Sequence, residues 1–422
     1  MECIPAACRR LSLMIPVDLA LKGNNMKKKL ISLAVAGAFA APMAAFADGT
    51  QVTLFGSVQA EYSTVNIEGI RGGAQADIGD NSGRSKFGVH ITEHLGGGLK
   101  AKAQVEYGLS TGSGDIGIAR ERWIGLANDD WGEVKLGRVQ SPFKDFAGGM
   151  TIDRFAYTSL QAGGSGGTMY SPANGFGSAA NGYVNNAARY DSPMVEGFAF
   201  SALLMPSDSN RLDPTTGNSD PANAGGEDGE WDFQIAGKYN MQYEALDVDL
   251  FGGYSRDNVS RDQKALAGVH DDEEVWRGGA SFGIQDLKIS GQYENINNAV
   301  GAATCTDAAA LGSVGDTTNG SGIGQCNSAL NANGDGEIWF AAAEYTIGNT
   351  TLVAQGGITH ARKLTGTVAG KDARSFTVGA IHQLSRRSRL FGGYQHVDVD
   401  DRTPGVADSD RNTYTVGVRH DF

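Results

Sequence analysis

The sequence predicts an all-β fold, a transmembrane antiparallel β-barrel of about 16 strands. Three observations support this prediction. Many short segments alternate apolar and polar side chains with the period of two that a strand requires. Long and short connections between these segments follow one another in turn. Glycine accounts for 60 of the 422 residues, roughly twice its usual share, which suits many turns and disfavours helices.

The N-terminal residues are predicted to be removed before folding. Residues 26–47 have the three parts of a secretory signal peptide: the basic Met26-Lys27-Lys28-Lys29, an apolar core, and a small-residue cleavage site at Ala45-Phe46-Ala47. Residues 1–25 are interpreted as a start codon assigned too early or another extension without structure. The barrel is assigned to residues 48–422.

Charge and hydropathy exclude two classes of protein. Residues 48–422 contain 29 basic and 46 acidic residues, a formal charge of −17, which argues against a nucleic-acid partner. This part of the sequence has no run of about 18 apolar residues, so no membrane-spanning helix is expected.

Alternation is clearest in the segment 99–109. Leu99, Ala101, Val105 and Tyr107 share one face there, whereas lysine, glutamine and glutamate occupy the other. Strands are predicted at 50–64, 83–94, 99–110, 118–128, 131–139, 184–192, 196–205, 231–240, 245–256, 273–284, 286–297, 336–347, 350–361, 373–384, 387–399 and 411–422.

The connections distinguish a membrane barrel from a soluble sheet. Short turns at one end and long loops at the other are typical of transmembrane barrels. A barrel of sixteen strands is too wide for side chains to fill. The apolar side chains are therefore predicted to face lipid, and the polar ones to surround water.

The connection 140–183 is exceptional, because it contains about forty residues with neither helix nor strand period. Pro142 cannot donate to a strand ladder, so pairing is expected to stop there. Long connections of this kind are usually functional or disordered. We predict that this loop folds into the barrel and narrows it, with Asp145 and Asp153 as its nearest acidic residues.

Basic residues are predicted along the inner wall. Alternation directs Arg84, Lys86, Lys100 and Lys102 into the lumen, and Arg189 is assigned to the same wall. A basic wall favours anions, whereas the acidic outer loops favour cations. The sign of any ion selectivity therefore stays open.

Two cysteines are predicted to form a disulfide. Cys305 and Cys326 lie in a long loop of an exported chain, where an oxidising compartment favours pairing. No metal or cofactor is expected. The sequence 331–338 resembles the start of a calcium-binding loop, but Ala342 stands where a bidentate glutamate is needed.

Several motifs together resemble Gram-negative general-diffusion porins. They are Val52-Thr53-Leu54-Phe55-Gly56, Leu136-Gly137-Arg138 before the long loop, Asn185-Asn186-Ala187-Ala188-Arg189-Tyr190, Leu390-Phe391-Gly392-Gly393-Tyr394 and the terminal Phe422. The resemblance implies a sixteen-stranded homotrimer whose third loop forms an eyelet, and a role for Phe422 in recognition by the outer-membrane assembly machinery.

The same resemblance implies a set of basic eyelet residues. Arg120, Arg122 and Arg138 match the basic positions of the family beside the loop. Ile124 and Leu126 share parity with Arg120 and Arg122, however, so either a bulge intervenes or this outer wall lies in a subunit interface.

The predicted function is a passive, water-filled channel in the outer membrane for ions and small hydrophilic solutes. The expected surroundings are membrane lipid and lipopolysaccharide. A channel specific for a sugar or a phosphate is the alternative, with Phe143, Phe146, Phe155 and Tyr157 as aromatic candidates. A barrel enzyme is disfavoured, because the histidines are scattered and no Gly-x-Ser-x-Gly motif occurs.

Overall fold

The strands of the structure follow the predicted pattern closely. The computed structural model describes residues 49–68, 74–80, 85–162, 182–206, 231–258, 272–300, 333–364, 371–401 and 409–422. The strands are β1 (Thr50–Ile67), β2 (Ala74–Gly79), β3 (Ser85–Gly96), β4 (Leu99–Leu109), β5 (Ile116–Asn128), β6 (Gly132–Gln140), β7 (Tyr183–Asp191), β8 (Phe198–Met205), β9 (Asp232–Tyr243), β10 (Leu246–Asp257), β11 (Glu273–Ile284), β12 (Leu287–Val300), β13 (Asn333–Ile347), β14 (Thr350–Leu364), β15 (Lys371–Gln383), β16 (Ser388–Asp401) and β17 (Ser409–Asp421). Each predicted strand has a counterpart among them.

Only β2 was not predicted. It lies in the expected connection 65–82 and has Ile78 as its single large apolar residue, so it lacks a visible apolar stripe. Both β2 and β3 pair with β1. The two segments therefore share one position in the wall, and the fold is a closed antiparallel barrel of 16 strands.

The barrel closes between its first and last strands. β1 pairs antiparallel with β17 from Ser57 opposite Asp421 to Ile67 opposite Arg411. At the end of this seam, the backbone amides of Gly56 and Phe422 each donate to the carbonyl of the other, at 3.0 Å. Closure satisfies the backbone polar groups of both terminal strands, as a hydrocarbon surrounding requires.

The two faces of the wall are opposite in character to those of a soluble barrel. On β17, Tyr414 and Val416 are 57% and 60% exposed, whereas Thr413 and Thr415 between and beside them are buried. On β1, Val58 is exposed and Gln59 is buried. We call the exposed apolar side the outer face and the buried polar side the inner face.

Short turns join the strands at one end of the barrel. Glu244-Ala245, Gln285-Asp286 and Gly348-Asn349 each connect two strands with two residues. The first residue of each turn has a positive φ of 52 to 58°, a feature of tight hairpins. No helix in the described parts of the chain is both long enough and apolar enough to cross a membrane.

Candidate functional site

The described part of the predicted inserted loop, segment 141–162, is hydrogen-bonded to strands around the barrel. It contains the short helix α1 (Pro142–Asp145) and a 3-10 turn at Gly149–Thr151. Five buried glutamines of the inner face hold it, one each on β1, β9, β12, β14 and β16. The contacts are Gln59 to the Tyr157 carbonyl (2.7 Å), the Phe143 amide to Gln234 (2.8 Å), the Gly149 amide to Gln292 (2.6 Å), Gln355 to Asp153 (2.7 Å) and Gln395 to the Leu160 carbonyl (3.0 Å).

These glutamines were not predicted from the sequence. A usable signal existed, because each stands at a polar position in the middle of an otherwise alternating strand. Glutamine carries both a donor and an acceptor. It can therefore bond either an amide or a carbonyl of a segment that has no strand partner.

Apolar packing fixes the same segment. Phe155 and Leu160 are fully buried and form a cluster with Val353, Ile381 and Phe391 of the inner face. Phe143 is also fully buried, in a second cluster. Phe143 and Phe155 therefore present no ring face to a passing solute, which removes two of the four aromatic candidates for a sugar track.

Gly148 marks the close approach of the segment to β12. Its φ is +70°, and a Cβ there would lie 2.3 Å from Gln292 Oε1 and 2.6 Å from the ring of Phe251. Both the backbone conformation and the available space require glycine.

A buried pair anchors α1 to the wall. Arg277 on β11 bonds Glu294 on β12 through Nη2 at 2.6 Å, and both side chains are 1% exposed. Its Nη1 donates to the carbonyls of Phe143 at 2.6 Å and Ala147 at 3.1 Å. Sequence analysis did not single out this arginine, because nothing local distinguishes it from other inner-face residues.

Arg120 and Lys86, two predicted basic residues, meet at one carboxylate. Glu106 accepts from Lys86 Nζ at 3.0 Å and from Arg120 Nε, and its side chain is 1% exposed. The guanidinium of Arg120 also lies 5.2 Å from the ring centroid of Tyr183. The group has one net positive charge and is built entirely from the inner face.

Arg122 does not join this group, which corrects the expectation from the sequence. Val105 lies opposite Arg122, but Tyr107 lies opposite Ala119, so β5 has one extra residue against β4. This bulge puts Arg122 on the outer face with Ile124, where its guanidinium lies 4.6 Å from the Tyr107 ring. The sequence left two explanations for the parity that Arg120 and Arg122 share with Ile124: a bulge or a subunit interface. The structure contains the bulge.

Arg138 lies beside Arg120 without joining its ion pair. Its Nε donates to the backbone carbonyl of Arg120 at 3.0 Å, and its Nη1 donates to Asn185 Oδ1. Its guanidinium is 5.4 Å from the ring centroid of Tyr183, so Arg120 and Arg138 contact the same ring.

The sequence predicted that acidic residues of the loop face basic residues of the wall. Asp145 of the loop and Arg189 of the wall form a contact of this kind. Arg189 Nη1 lies 2.8 Å from Asp145 Oδ1, and its Nε lies 2.9 Å from Asp191. Desolvation by the surrounding protein raises the pKa of the Asp145 carboxyl, and Arg189 opposes the shift. The Asp145 side chain is 34% exposed, so solvent screens part of this effect.

Hydrogen bonds to Asp153 hold segment 141–162 together and connect it to β14. Its carboxylate accepts from the backbone amides of Phe155 at 2.9 Å and Ala162 at 2.6 Å, and from Gln355. Asp153 is 5% exposed. Its main visible effect is to close the segment on itself and to tie it to β14.

The remaining predicted wall lysines are paired with acids. Lys100 lies 2.8 Å from Asp129 in a turn, and Lys102 lies 2.8 Å from Glu133. Arg84, Cys305, Cys326 and the leader 1–47 lie outside the described residues. Within the described ranges, no group of three or more histidine, cysteine, aspartate or glutamate side chains is placed to hold a metal ion.

The fold and this site define a class of protein: a membrane barrel with an apolar outer face, a polar inner face and a long segment braced against its inner wall. Comparisons with known proteins identify the family. A family model described as Gram-negative porin matches residues 32–403. The chain therefore belongs to the Gram-negative porin family.

Individual relatives agree with this assignment. An outer membrane porin protein of Bordetella pertussis is 25% identical over 94% of this chain and all of its own length. A major outer membrane protein P.IB of Neisseria sicca is 30% identical over 64% of this chain and 73% of its own length.

Solved structures share the fold. The anion-selective porin from Comamonas acidovorans has a TM-score of 0.59 at 20% identity, covering 88% of this chain and all of that one. OmpF of Salmonella typhi, in complex with daunomycin, has a TM-score of 0.60 at 16% identity, covering 89% of this chain and 99% of that one.

Proposed function

We propose that this chain forms a water-filled channel in the outer membrane, through which ions and small hydrophilic solutes diffuse passively. The observation that supports this proposal most directly is that the outer face of the barrel is apolar and the inner face is polar. Exposed apolar side chains suit lipid, and an inner face of glutamine, threonine and paired charges suits water. The family and the outer-membrane relatives support the same function and location.

Segment 141–162 is the proposed constriction. It bonds inner-face residues on β1 and on β9, which lie about half a circumference apart in the strand order. Solutes would pass between this segment and the wall that carries Glu106 and Arg120. Charged groups on opposite sides of a narrow wet passage sort ions by sign. Arg120, Arg138, Arg189 and Asp145 are the proposed constriction residues.

The proposed assembly is a homotrimer. One structural neighbour, OmpT of Vibrio cholerae, is described as a trimer form, with a TM-score of 0.55. Exposed Ile124, Leu126 and Leu136 lie together on the outer face of β5 and β6, which supplies an apolar surface for subunit contact. The signal peptide at 26–47, the disulfide between Cys305 and Cys326, lipopolysaccharide contact and the assembly role of Phe422 remain proposals from the sequence.

Single-channel recording in planar bilayers tests the function. The purified protein should produce large ohmic steps, in threes if the trimer inserts as a unit, and the current should rise in proportion to salt concentration. A current that saturates with one sugar would instead favour a specific channel. A complete absence of conductance from folded protein would contradict the proposal.

A further inference from the structure

Two arginines face each other on the inner wall near the short-turn end. Arg389 on β16 lies directly opposite Arg419 on β17. Side chains alternate between the two faces of a strand. Arg389 is two residues from Phe391 on β16, and Arg419 is four residues from Thr415 on β17, so both arginines share the inner face with these buried residues. Like charges directly opposite on neighbouring strands are destabilising. Nothing in the barrel's closure requires this pair, so its presence calls for a compensating interaction.

Only one of the two arginines has a direct side-chain partner. Arg419 Nε lies 2.8 Å from Asp421 Oδ1, and its guanidinium is 5.7 Å from the ring centroid of Tyr157 in segment 141–162. Within the described residues, the half-buried side chain of Arg389 makes no hydrogen bond and no contact ion pair, and Asp421 acts on it only through electrostatic attraction. Buried cations are ordinarily paired.

A third arginine extends the group from the loop. Arg154 interacts electrostatically with Arg389, and its Nε lies 3.1 Å from Glu344 while its side chain is 48% exposed. The three guanidinium groups thus have two carboxylates, Asp421 and Glu344, as neighbours. One positive charge stays uncompensated, and it belongs to the residue that has no hydrogen bond.

Another part of the wall at the same end is mainly acidic. A cavity of about 620 Å³ is lined by Asp247, Asp249, Asp286 and Glu344 together with Arg154 and Lys288. These six side chains have an excess of negative charge, whereas β16 and β17 carry Arg389 and Arg419. An anion that enters from the short-turn end would be drawn to the β16–β17 side.

We propose that Arg389 and Arg419, assisted by Arg154, bind small oxyanionic solutes, carboxylates or phosphates, on the short-turn side of the constriction. Planar guanidinium groups bind such oxygens in a bidentate manner. The site is distinct from Arg120, Arg138 and Arg189, and it concentrates anions at the short-turn side of segment 141–162. This inference rests on the proposed channel function.

Phosphate block of chloride current tests the proposal. In bilayers containing the full chain, inorganic phosphate added on the short-turn side should reduce the chloride current with a saturating dependence. The double variant Arg389→Gln/Arg419→Gln should raise the half-blocking concentration about tenfold, because both bidentate donors are lost. It should also lower the anion-to-cation permeability ratio. Repeating the titration with succinate separates phosphate from carboxylate binding.

Control variants keep the test decisive. Arg387→Gln removes the same charge from the exposed turn two residues away and should leave the block unchanged. Arg389→Gln relieves like-charge repulsion, so folding should be preserved, and Arg389→Lys should retain part of the block. Equal effects of Arg387→Gln and the double variant, or no block by either anion in the wild type, would overturn the inference while the channel stands. A wild-type protein without any conductance would overturn the channel itself.

Discussion

At the scale of single residues, the net charge of each group on the inner wall depends on how acidic and basic side chains share their partners. Glu106 neutralises one unit of charge for both Lys86 and Arg120, and Arg189 is held between Asp145 and Asp191. Ion selectivity at such sites depends on the net charge that each group of paired side chains retains. Counting basic and acidic residues along the sequence does not reveal it.

Glu106→Gln should shift selectivity towards anions. The substitution leaves two cations on the inner wall without their shared carboxylate, and reversal potentials in a salt gradient should report a higher chloride permeability. Loss of one partner of a buried pair should also lower the free energy of unfolding by about 3–5 kcal/mol. Asp129→Asn, which removes an exposed acid from a turn, is the matched control and should change neither quantity appreciably.

Asp145 should make selectivity depend on pH. Because burial raises the pKa of its carboxyl, Asp145 takes up its proton at a higher pH than an ordinary aspartate. As pH falls, Arg189 loses this opposing charge at a higher pH than an unshifted aspartate would cause, so anion permeability should rise there. Asp145→Asn should show the higher anion permeability at neutral pH and lose that early step. An unchanged pH profile in this variant would contradict the assignment.

At the scale of elements, the strands were predictable and the loop contacts were not. The alternation in segments such as 99–109 identified every long wall strand, because apolar burial against lipid repeats with period two. The bulge in β5 was one of two explanations that the sequence left open, since one extra residue changes the face of Arg122 without changing composition. The position of Arg277 depends on contacts with residues 130 and 134 positions away in the chain, which no local pattern encodes.

Arg277→Ala should loosen segment 141–162. The change removes the bonds to the carbonyls of Phe143 and Ala147 and leaves Glu294 buried without its cation, so the loop should sample wider positions. Single-channel records should show larger or noisier conductance, and protease sensitivity of the segment should increase. Arg256→Ala is a suitable control, because that arginine on the adjacent strand β10 is 38% exposed and pairs with Asp272 and Glu274 away from the loop.

At the scale of the whole molecule, the barrel is stable only where its outer face is covered. Large apolar side chains such as Ile289, Trp276 and Phe376 are half exposed in the isolated chain. The sequence predicted this orientation from strand number alone, since a lumen of sixteen strands cannot be filled by side chains. Folding in plain buffer without detergent would contradict it.

Ile289→Arg should destabilise the folded barrel in a lipid bilayer. A charged residue on the lipid face costs about 2–4 kcal/mol at the midplane and about 0–1 kcal/mol near the interfaces. Ile289 is 50% exposed and is the third residue of β12, so a cost below the midplane range is expected. Urea-induced unfolding in phospholipid vesicles would measure the difference. Ile289→Leu keeps the apolar contact and should remain close to the wild type.

The seam between β1 and β17 has a consequence for biogenesis. Strands that are neighbours in space here are separated by nearly the entire chain, and contacts of such long range form late and slowly. Until β17 has arrived, β1 presents a row of unsatisfied amides and carbonyls that invites pairing with other chains. A partly translated or truncated polypeptide would therefore be prone to aggregation. The barrel can close only after β17 has been exported.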